Sequence, residues 1–128
     1  MGAELRRLAD EKYVQLTTFR KSGDAVPTPV WAAEDDGELV LFSGRTAGKV
    51  KRIRREPHVE VVACDLRGRA THGATVTGVA RILDDDASER VRRVIARKYG
   101  LSGTITMFFS RLRGGSQRTV GIAVALDE

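Results

Sequence analysis

The segment Arg45-Thr-Ala-Gly-Lys-Val-Lys-Arg-Ile-Arg-Arg55 holds six of the 22 basic residues of the chain and no acidic one. The rest of the chain has 16 basic and 17 acidic residues, so the positive surplus lies in this segment. An anionic ligand is therefore expected there. Val50 and Ile53 have the spacing of one apolar edge of a short helix, which Pro57 ends. A solvated basic helix face explains the charge alone equally well.

The start of this predicted helix has the groups that suit phosphate. A helix N-terminus presents unpaired backbone N–H groups and a partial positive charge. At that point Thr46 adds a hydroxyl, Gly48 an unhindered backbone and Lys49 an ammonium group. The pattern therefore predicts that an anion binds where the helix begins.

Length and composition predict one ordinary water-soluble domain over residues 1–128, with 41% hydrophobic and 30% charged residues. No apolar stretch approaches the roughly 18 residues of a membrane span, and residues 1–12 lack the apolar core of a signal peptide, so a cytoplasmic protein is expected. Cys64 is the single cysteine, and with His58 and His72 it makes no metal-ligand cluster. Neither a disulfide nor a metal site is expected.

Three strands are predicted before the basic segment, after a short helix over Glu4–Asp10. Apolar and polar residues alternate in them, and turn signals at residues 21–24 and 35–37 separate them, which predicts an antiparallel meander. Pro27 and Pro29 place the second strand at an edge or a bulge. The three strands are Tyr13–Phe19, Ala25–Ala33 and Glu38–Ser43.

Three further strands and a long helix are predicted after the basic segment. Asp84–Asp86 cap the helix, its apolar positions have helical spacing, and Gly100 ends it. Thr104–Arg111 is a second short helix or a loop. The first strand, Val59–Asp65, is apolar enough to be buried on both faces. In the second, Ala74–Leu83, Gly78 indicates a bulge or a close approach. The third, Gln117–Leu126, has a face of small residues that should lie against another surface.

Six strands with short turns, and no alternation of strands with helices, predict a mainly β fold: an antiparallel β-barrel with flanking helices. Four motifs, taken in order, resemble the split β-barrel flavin and deazaflavin oxidoreductases. That superfamily includes pyridoxamine-phosphate-oxidase-like proteins that bind FMN and an actinobacterial branch that binds coenzyme F420. The motifs are Tyr13-Val-Gln-Leu-Thr-Thr18, Thr28-Pro-Val-Trp31, Lys51-Arg-Ile-Arg-Arg-Glu-Pro57 and Ala63-Cys-Asp-Leu-Arg67.

The resemblance spans Leu8–Leu126 and implies a six-stranded antiparallel split barrel. The small size and the basic segment are more similar to the F420 branch. In such proteins the segment and helix after the third strand hold the cofactor phosphate, and the second and third strands lie along the ring. The implied phosphate residues are Thr46, Lys49, Lys51, Arg52 and Arg55, with Lys51 and Arg55 preferred as a facing pair. The implied ring residues are Thr28, Pro29, Val30, Trp31, Phe42 and Ser43.

The resemblance also implies a homodimer with the cofactor groove between two subunits, where Asp65, Arg67 and Arg69 could approach the partner's cofactor. A solvated loop explains these three residues at least as well. For Val30 and Phe42 taken alone, ordinary strand packing is the favoured explanation. Trp31, the only tryptophan, suits a cofactor stack or a subunit interface.

The implied chemistry is hydride transfer from reduced F420 to an enone, a quinone or a tetrapyrrole, in which no protein residue acts as a nucleophile. No catalytic residue is therefore assigned. One alternative is a split-barrel carrier of FMN or haem. Another is a nucleic-acid-binding module, which the isoelectric point of about 9.9 favours and the low aromatic content of 5% disfavours.

Overall fold

The computed structural model describes residues 2–100 and 119–128, and this part of the chain forms three helices and seven strands. None of the described helices is both long and apolar enough to span a membrane. In chain order the elements are α1 (Ala3–Ala9), β1 (Val14–Phe19), β2 (Ala25–Val30), β3 (Ala33–Asp35), β4 (Glu38–Gly44), α2 (Gly48–Arg55), β5 (His58–Cys64), β6 (Thr71–Ile82), α3 (Asp85–Tyr99) and β7 (Thr119–Leu126).

The strands form one antiparallel sheet in the order β2-β1-β5-β6-β7-β4-β3. Its two edge strands, β2 and β3, are consecutive in the chain and are separated by Trp31 and Ala32 alone. Two linking residues can span only about 10 Å, so the sheet must curl until its edges meet. The result is a barrel that is split between β2 and β3, and the predicted mainly β, antiparallel barrel with flanking helices is confirmed.

The predicted meander and the count of six strands are wrong, because the second predicted strand, Ala25–Ala33, divides in two. Its first part, β2, pairs with β1, and its last residues belong to β3, which pairs with β4. At the break the backbone N–H of Ala32 donates to the hydroxyl of Tyr99, 3.2 Å away, instead of to a strand. Pro27 and Pro29 lie in an edge strand as predicted, where their missing N–H groups cost least.

Local periodicity located the other described elements to within a few residues. Val50 and Ile53 are buried under α2 as expected, and the Asp84 side chain caps α3 by accepting from the N–H of Ala87 at 2.9 Å. The strand β6 begins at Thr71, three residues before the prediction. Thr104–Arg111 and the first residues of the last predicted strand lie outside the described residues.

Gly78 marks a close approach, not a bulge. A Cβ atom at this position would lie 2.8 Å from the carbonyl oxygen of Ala125 on the neighbouring strand β7. The irregularity in the pairing of β5 with β6 lies elsewhere, between Val61 and Ala63. From Val61 to Cys64 every residue of β5 is buried, which confirms a strand covered on both faces there.

Side chains pack on both sides of the sheet, and β4 contributes to each. Leu39 and Leu41 point into the barrel, where α1 and α2 cover the interior cluster. Val40 and Phe42 point outward and pack in a second cluster with the apolar face of α3. The small-residue face predicted for β7 also meets α3, since the N–H of Gly121 donates to Ser88 Oγ at 2.8 Å. The helix α3 thus braces the strand that supplies Phe42.

Candidate functional site

A cleft of about 440 Å³ lies beside the split in the barrel, between the end of β2 and the end of β4. The pairing of β3 with β4 stops at Val40, so the cleft opens alongside the last part of β4. Six of the predicted site residues line it: Pro29, Val30, Trp31, Phe42, Ser43 and Lys49. The fold therefore brings one end of the second predicted strand and one end of the third to a common cavity.

The walls of the cleft are flat and mostly apolar. The ring of Trp31 stacks on that of Tyr99, with centroids 5.0 Å apart and planes inclined by 18°. Phe42 packs in the α3 cluster, and Pro29 and Val30 also line the cleft. A planar ring system fits between such surfaces, because aromatic and proline side chains offer wide contact areas with little conformational freedom.

Lys49 supplies the charge in this cleft. Its Nζ donates to Ser43 Oγ at 3.4 Å, and the described lining contains no acidic residue. Burial lowers the pKa of Lys49 below its usual 10.5, and the nearby guanidinium of Arg52 lowers that pKa further. Within the described part of the chain this half-buried ammonium has one neutral hydrogen-bond partner, so the approach of an anion would stabilise it.

A second, shallower concavity of about 410 Å³ lies on the other side of the start of α2. We call it the basic shelf. Arg52 Nε donates to Thr18 Oγ1 at 2.7 Å, and Arg55 Nη2 donates to the carbonyl of Phe19 at 2.6 Å, so the end of β1 orients both guanidinium groups. No acidic residue belongs to its described lining, which consists of Arg20, Lys21, Gly48, Lys51, Arg52 and Arg55.

The cleft and the basic shelf meet at the first turn of α2, where Gly48 faces the shelf and Lys49 faces the cleft. The Arg52 side chain lies directly over Gly48, because a Cβ atom there would be 2.7 Å from Arg52 Nη1. Glycine thus lets a guanidinium lie across the helix start. A mostly apolar cavity and a cationic surface thus lie on consecutive residues of the same helix.

The structure divides the predicted site residues instead of gathering them in one pocket. Lys49 lines the cleft, whereas Lys51, Arg52 and Arg55 line the basic shelf. Lys51 and Arg55 share that surface as expected, and Arg52 shares it too. Thr28 and Thr46 line neither cavity: the first is half-buried in β2 and the second is exposed.

Sequence reasoning missed Tyr13, Gly44 and Leu66, which also line the cleft. Leu66 was recognisable, because a leucine within the loop Asp65-Leu-Arg-Gly-Arg69 has no strand or helix periodicity to bury it. Its side chain is 63% exposed. The loop is ordered by Asp65, whose carboxylate accepts from the N–H groups of Arg67 and Arg69.

These features define a split β-barrel protein with a cleft at its split. Residues 1–121 match the family model described as pyridoxamine 5'-phosphate oxidase, and the chain belongs to that family. A comparison with curated proteins found no match.

Solved structures share the fold over almost the whole chain. A conserved hypothetical protein from Mycobacterium tuberculosis, Rv2991, has a TM-score of 0.75 at 20% identity, with 100% of this chain and 82% of that one covered. HutZ, the haem storage protein of Vibrio cholerae, has a TM-score of 0.68 at 19% identity, with 98% and 87% covered. An F420 reductase has a TM-score of 0.67 at 17% identity, with 100% and 97% covered. At these identities the similarity establishes the fold alone.

Proposed function

We propose that this protein is an F420-dependent oxidoreductase that binds the deazaflavin ring in the cleft and the anionic part of the coenzyme along the first turn of α2 and the basic shelf. The observation that carries the proposal is the division of the cations between Lys49 and the shelf. FMN ends in one phosphate, for which Lys49 suffices. Coenzyme F420 continues past its phosphate into a chain of carboxylates, which matches a cationic surface beyond the cleft.

The residues present fit such a coenzyme. A volume of about 440 Å³ lies within the range of ligand-binding clefts, about 300 to 1,000 Å³. Trp31, Phe42 and Pro29 would shield the ring from water and hold it flat. Lys49 would bind the phosphate at the point where ring and tail join, and the N-terminal end of α2 adds a favourable dipole.

When bound, reduced F420 supplies a hydride for an electron-poor double bond, as in an enone, a quinone or a tetrapyrrole. The contribution of this chain is to position the ring and to hold the tail, so that a substrate can lie over the open ring face. No described residue of the cleft is needed as a nucleophile. Solvent at the open side of the cleft would supply the proton that completes the reduction.

The proposal includes a homodimer, as the family resemblance implies. Leu66 lines the open side of the cleft with most of its side chain exposed. A second subunit placed over Leu66 would remove this apolar surface from water and leave the rest of the open side to substrate and solvent. Light scattering at micromolar protein concentration tests this part, and a monomer would contradict it.

The decisive experiment titrates the purified protein with F420 and, separately, with FMN, following Trp31 fluorescence at moderate salt and checking each affinity by equilibrium dialysis. We expect tight F420 binding, weak FMN binding and, afterwards, oxidation of reduced F420 by one of the acceptor classes. Equal or tighter FMN binding would assign the protein to the flavin branch. Binding of haem alone would make the protein a carrier. Binding of nucleic acid alone, lost with added salt, would mean that the basic shelf binds nucleic acid and that the cleft binds no coenzyme.

A further inference from the structure

The link between β2 and β3 is held by the end of α3. Ala32 is 1% exposed and lies in this link, outside both strands. The N–H of Ala32 donates to Tyr99 Oη at 3.2 Å, and the carbonyl oxygen of Ala32 lies 3.1 Å from the same hydroxyl. That hydroxyl donates to the carbonyl of Lys12 at 2.7 Å. The backbone at the split is therefore fixed by a side chain far away in the sequence.

Lys98 strengthens the same connection. Its Nζ donates to the carbonyls of Ala9, Glu11 and Ala32, each at 2.6 Å. Three carbonyl partners complete the donor capacity of an ammonium group. Two consecutive residues of α3 thus tie the end of α1, the entry to β1 and the link at Ala32 into one unit.

Trp31 immediately precedes Ala32 and forms a wall of the cleft. The ring of Trp31 stacks on that of Tyr99 with the centroids 5.0 Å apart. Tyr99 therefore supports Trp31 through its ring and Ala32 through its hydroxyl. Burial raises the pKa of Tyr99 to about 12, so the hydroxyl keeps its proton at neutral pH.

We infer that Tyr99 is a positioning residue for the ligand-binding cleft: its hydroxyl fixes the backbone at Ala32, its ring fixes the plane of Trp31, and together they set the wall against which a ring-shaped ligand packs. The inference rests on the proposed function in one respect, that the cleft takes a ring system. Tyr99 itself does not line the cleft.

The test uses Tyr99→Phe, which keeps the ring and removes the hydroxyl, and Tyr99→Leu, which removes both. The matched control is Val59→Ala, a buried position of β5 in the interior cluster, which loosens the core without belonging to the α3 cluster against which Trp31 packs. The first readout needs no ligand: the emission maximum of Trp31 and its quenching by acrylamide. We expect a red shift and stronger quenching in both Tyr99 variants and neither change in the control.

The second readout compares two ligands, the phosphate-free deazaflavin riboside and inorganic phosphate. In Tyr99→Phe we expect affinity for the riboside to fall about fivefold, as the loss of one or two hydrogen bonds allows, while phosphate affinity stays within about twofold, because Lys49 is not disturbed. A role in stability alone would lower the melting temperature of Tyr99→Phe and Val59→Ala alike and leave the ratio of the two affinities unchanged.

Unchanged emission and quenching of Trp31 in Tyr99→Phe would overturn the inference. If wild-type protein binds neither the riboside nor F420, the proposed function fails instead. The fluorescence readout still decides in that case whether Tyr99 fixes the wall of the cleft.

Discussion

Lys49 Nζ lies 3.4 Å from Ser43 Oγ, where the end of β4 meets the first turn of α2. Both residues line the apolar cleft, and Lys49 follows Gly48, which lines the basic shelf. The hydroxyl is a weak partner for an ammonium group, and burial together with Arg52 lowers the pKa of Lys49. An anionic ligand would offer a better partner, and its binding would favour the protonated form of Lys49.

Anion affinity should therefore depend on pH in a definite direction. Because the pKa of Lys49 is lowered from 10.5, its ammonium group gives up its proton at a lower pH than that of a free lysine. Affinity for a phosphate-bearing ligand should therefore fall as pH rises from neutral through that pKa. Binding measured by equilibrium dialysis from pH 7 to above pH 10.5 tests this. Lys49→Arg, which stays charged, should abolish the decline. A wild-type affinity that is flat over this range would contradict the role given to Lys49.

The basic shelf should matter more for F420 than for FMN. Replacing Lys51 and Arg55 together by alanine should weaken F420 binding by about 1 to 3 kcal/mol, because two charge-assisted contacts on a partly exposed surface are lost. FMN, which does not reach the shelf, should lose little. The charge-matched control is Arg6→Ala with Arg54→Ala, two exposed positions outside both cavities. If both double variants lost the same amount of F420 affinity, the effect would come from the net charge of the protein and not from contacts on the basic shelf.

Alkaline stability should report on Tyr99. Its pKa is raised from 10.0 to about 12, so between these pH values the unfolded chain releases a proton that the folded protein keeps. The free energy of unfolding should fall by about 2 to 3 kcal/mol as pH rises across this window, and this contribution is fully present below pH 10. Urea unfolding at several pH values should show a shallower fall in Tyr99→Phe. The same slope in both proteins would mean that the phenol is not buried as described.

Gly78 should not tolerate a side chain. The Cβ atom of Gly78→Ala would lie 2.8 Å from the Ala125 carbonyl oxygen and 2.9 Å from Val124 Cγ1, so β6 and β7 would have to separate. We expect a loss of about 1 to 3 kcal/mol in chemical denaturation. Gly44→Ala is the comparison, since nothing lies within 4 Å of its added methyl group. Equal stability of the two variants would show that the strands separate at no cost.

The elements that the sequence predicts correctly are those specified by neighbouring residues. Val50 and Ile53 define the buried edge of α2, and Asp84 caps α3 through the N–H of Ala87, three positions away. Spacing of this kind is visible in a linear sequence because both partners lie within one or two turns. The basic character of α2 and the apolar residues at the end of β2 are equally local, so most of the cleft lining was named in advance.

The features that the sequence does not predict depend on distant partners. The strand Ala25–Ala33 divides because the hydroxyl of Tyr99 takes the N–H of Ala32, a contact between residues 67 positions apart. Lys49 and Arg52 face different cavities because of how α2 lies across the ends of β1 and β4. Helical spacing shows that two neighbouring residues diverge, but it does not show what each one meets.

The pairing of β4 with β7 also determines when the cleft can exist. Leu39 is paired with Val124, so the strand that carries Phe42 and Ser43 gains its partner from the C-terminal part of the sequence. Contacts between segments so far apart form slowly, since a long loop must close first. On the ribosome, most of the chain must emerge before β4 has this neighbour. We expect newly made protein to acquire ligand affinity only after β7 has been synthesised and has paired with β4.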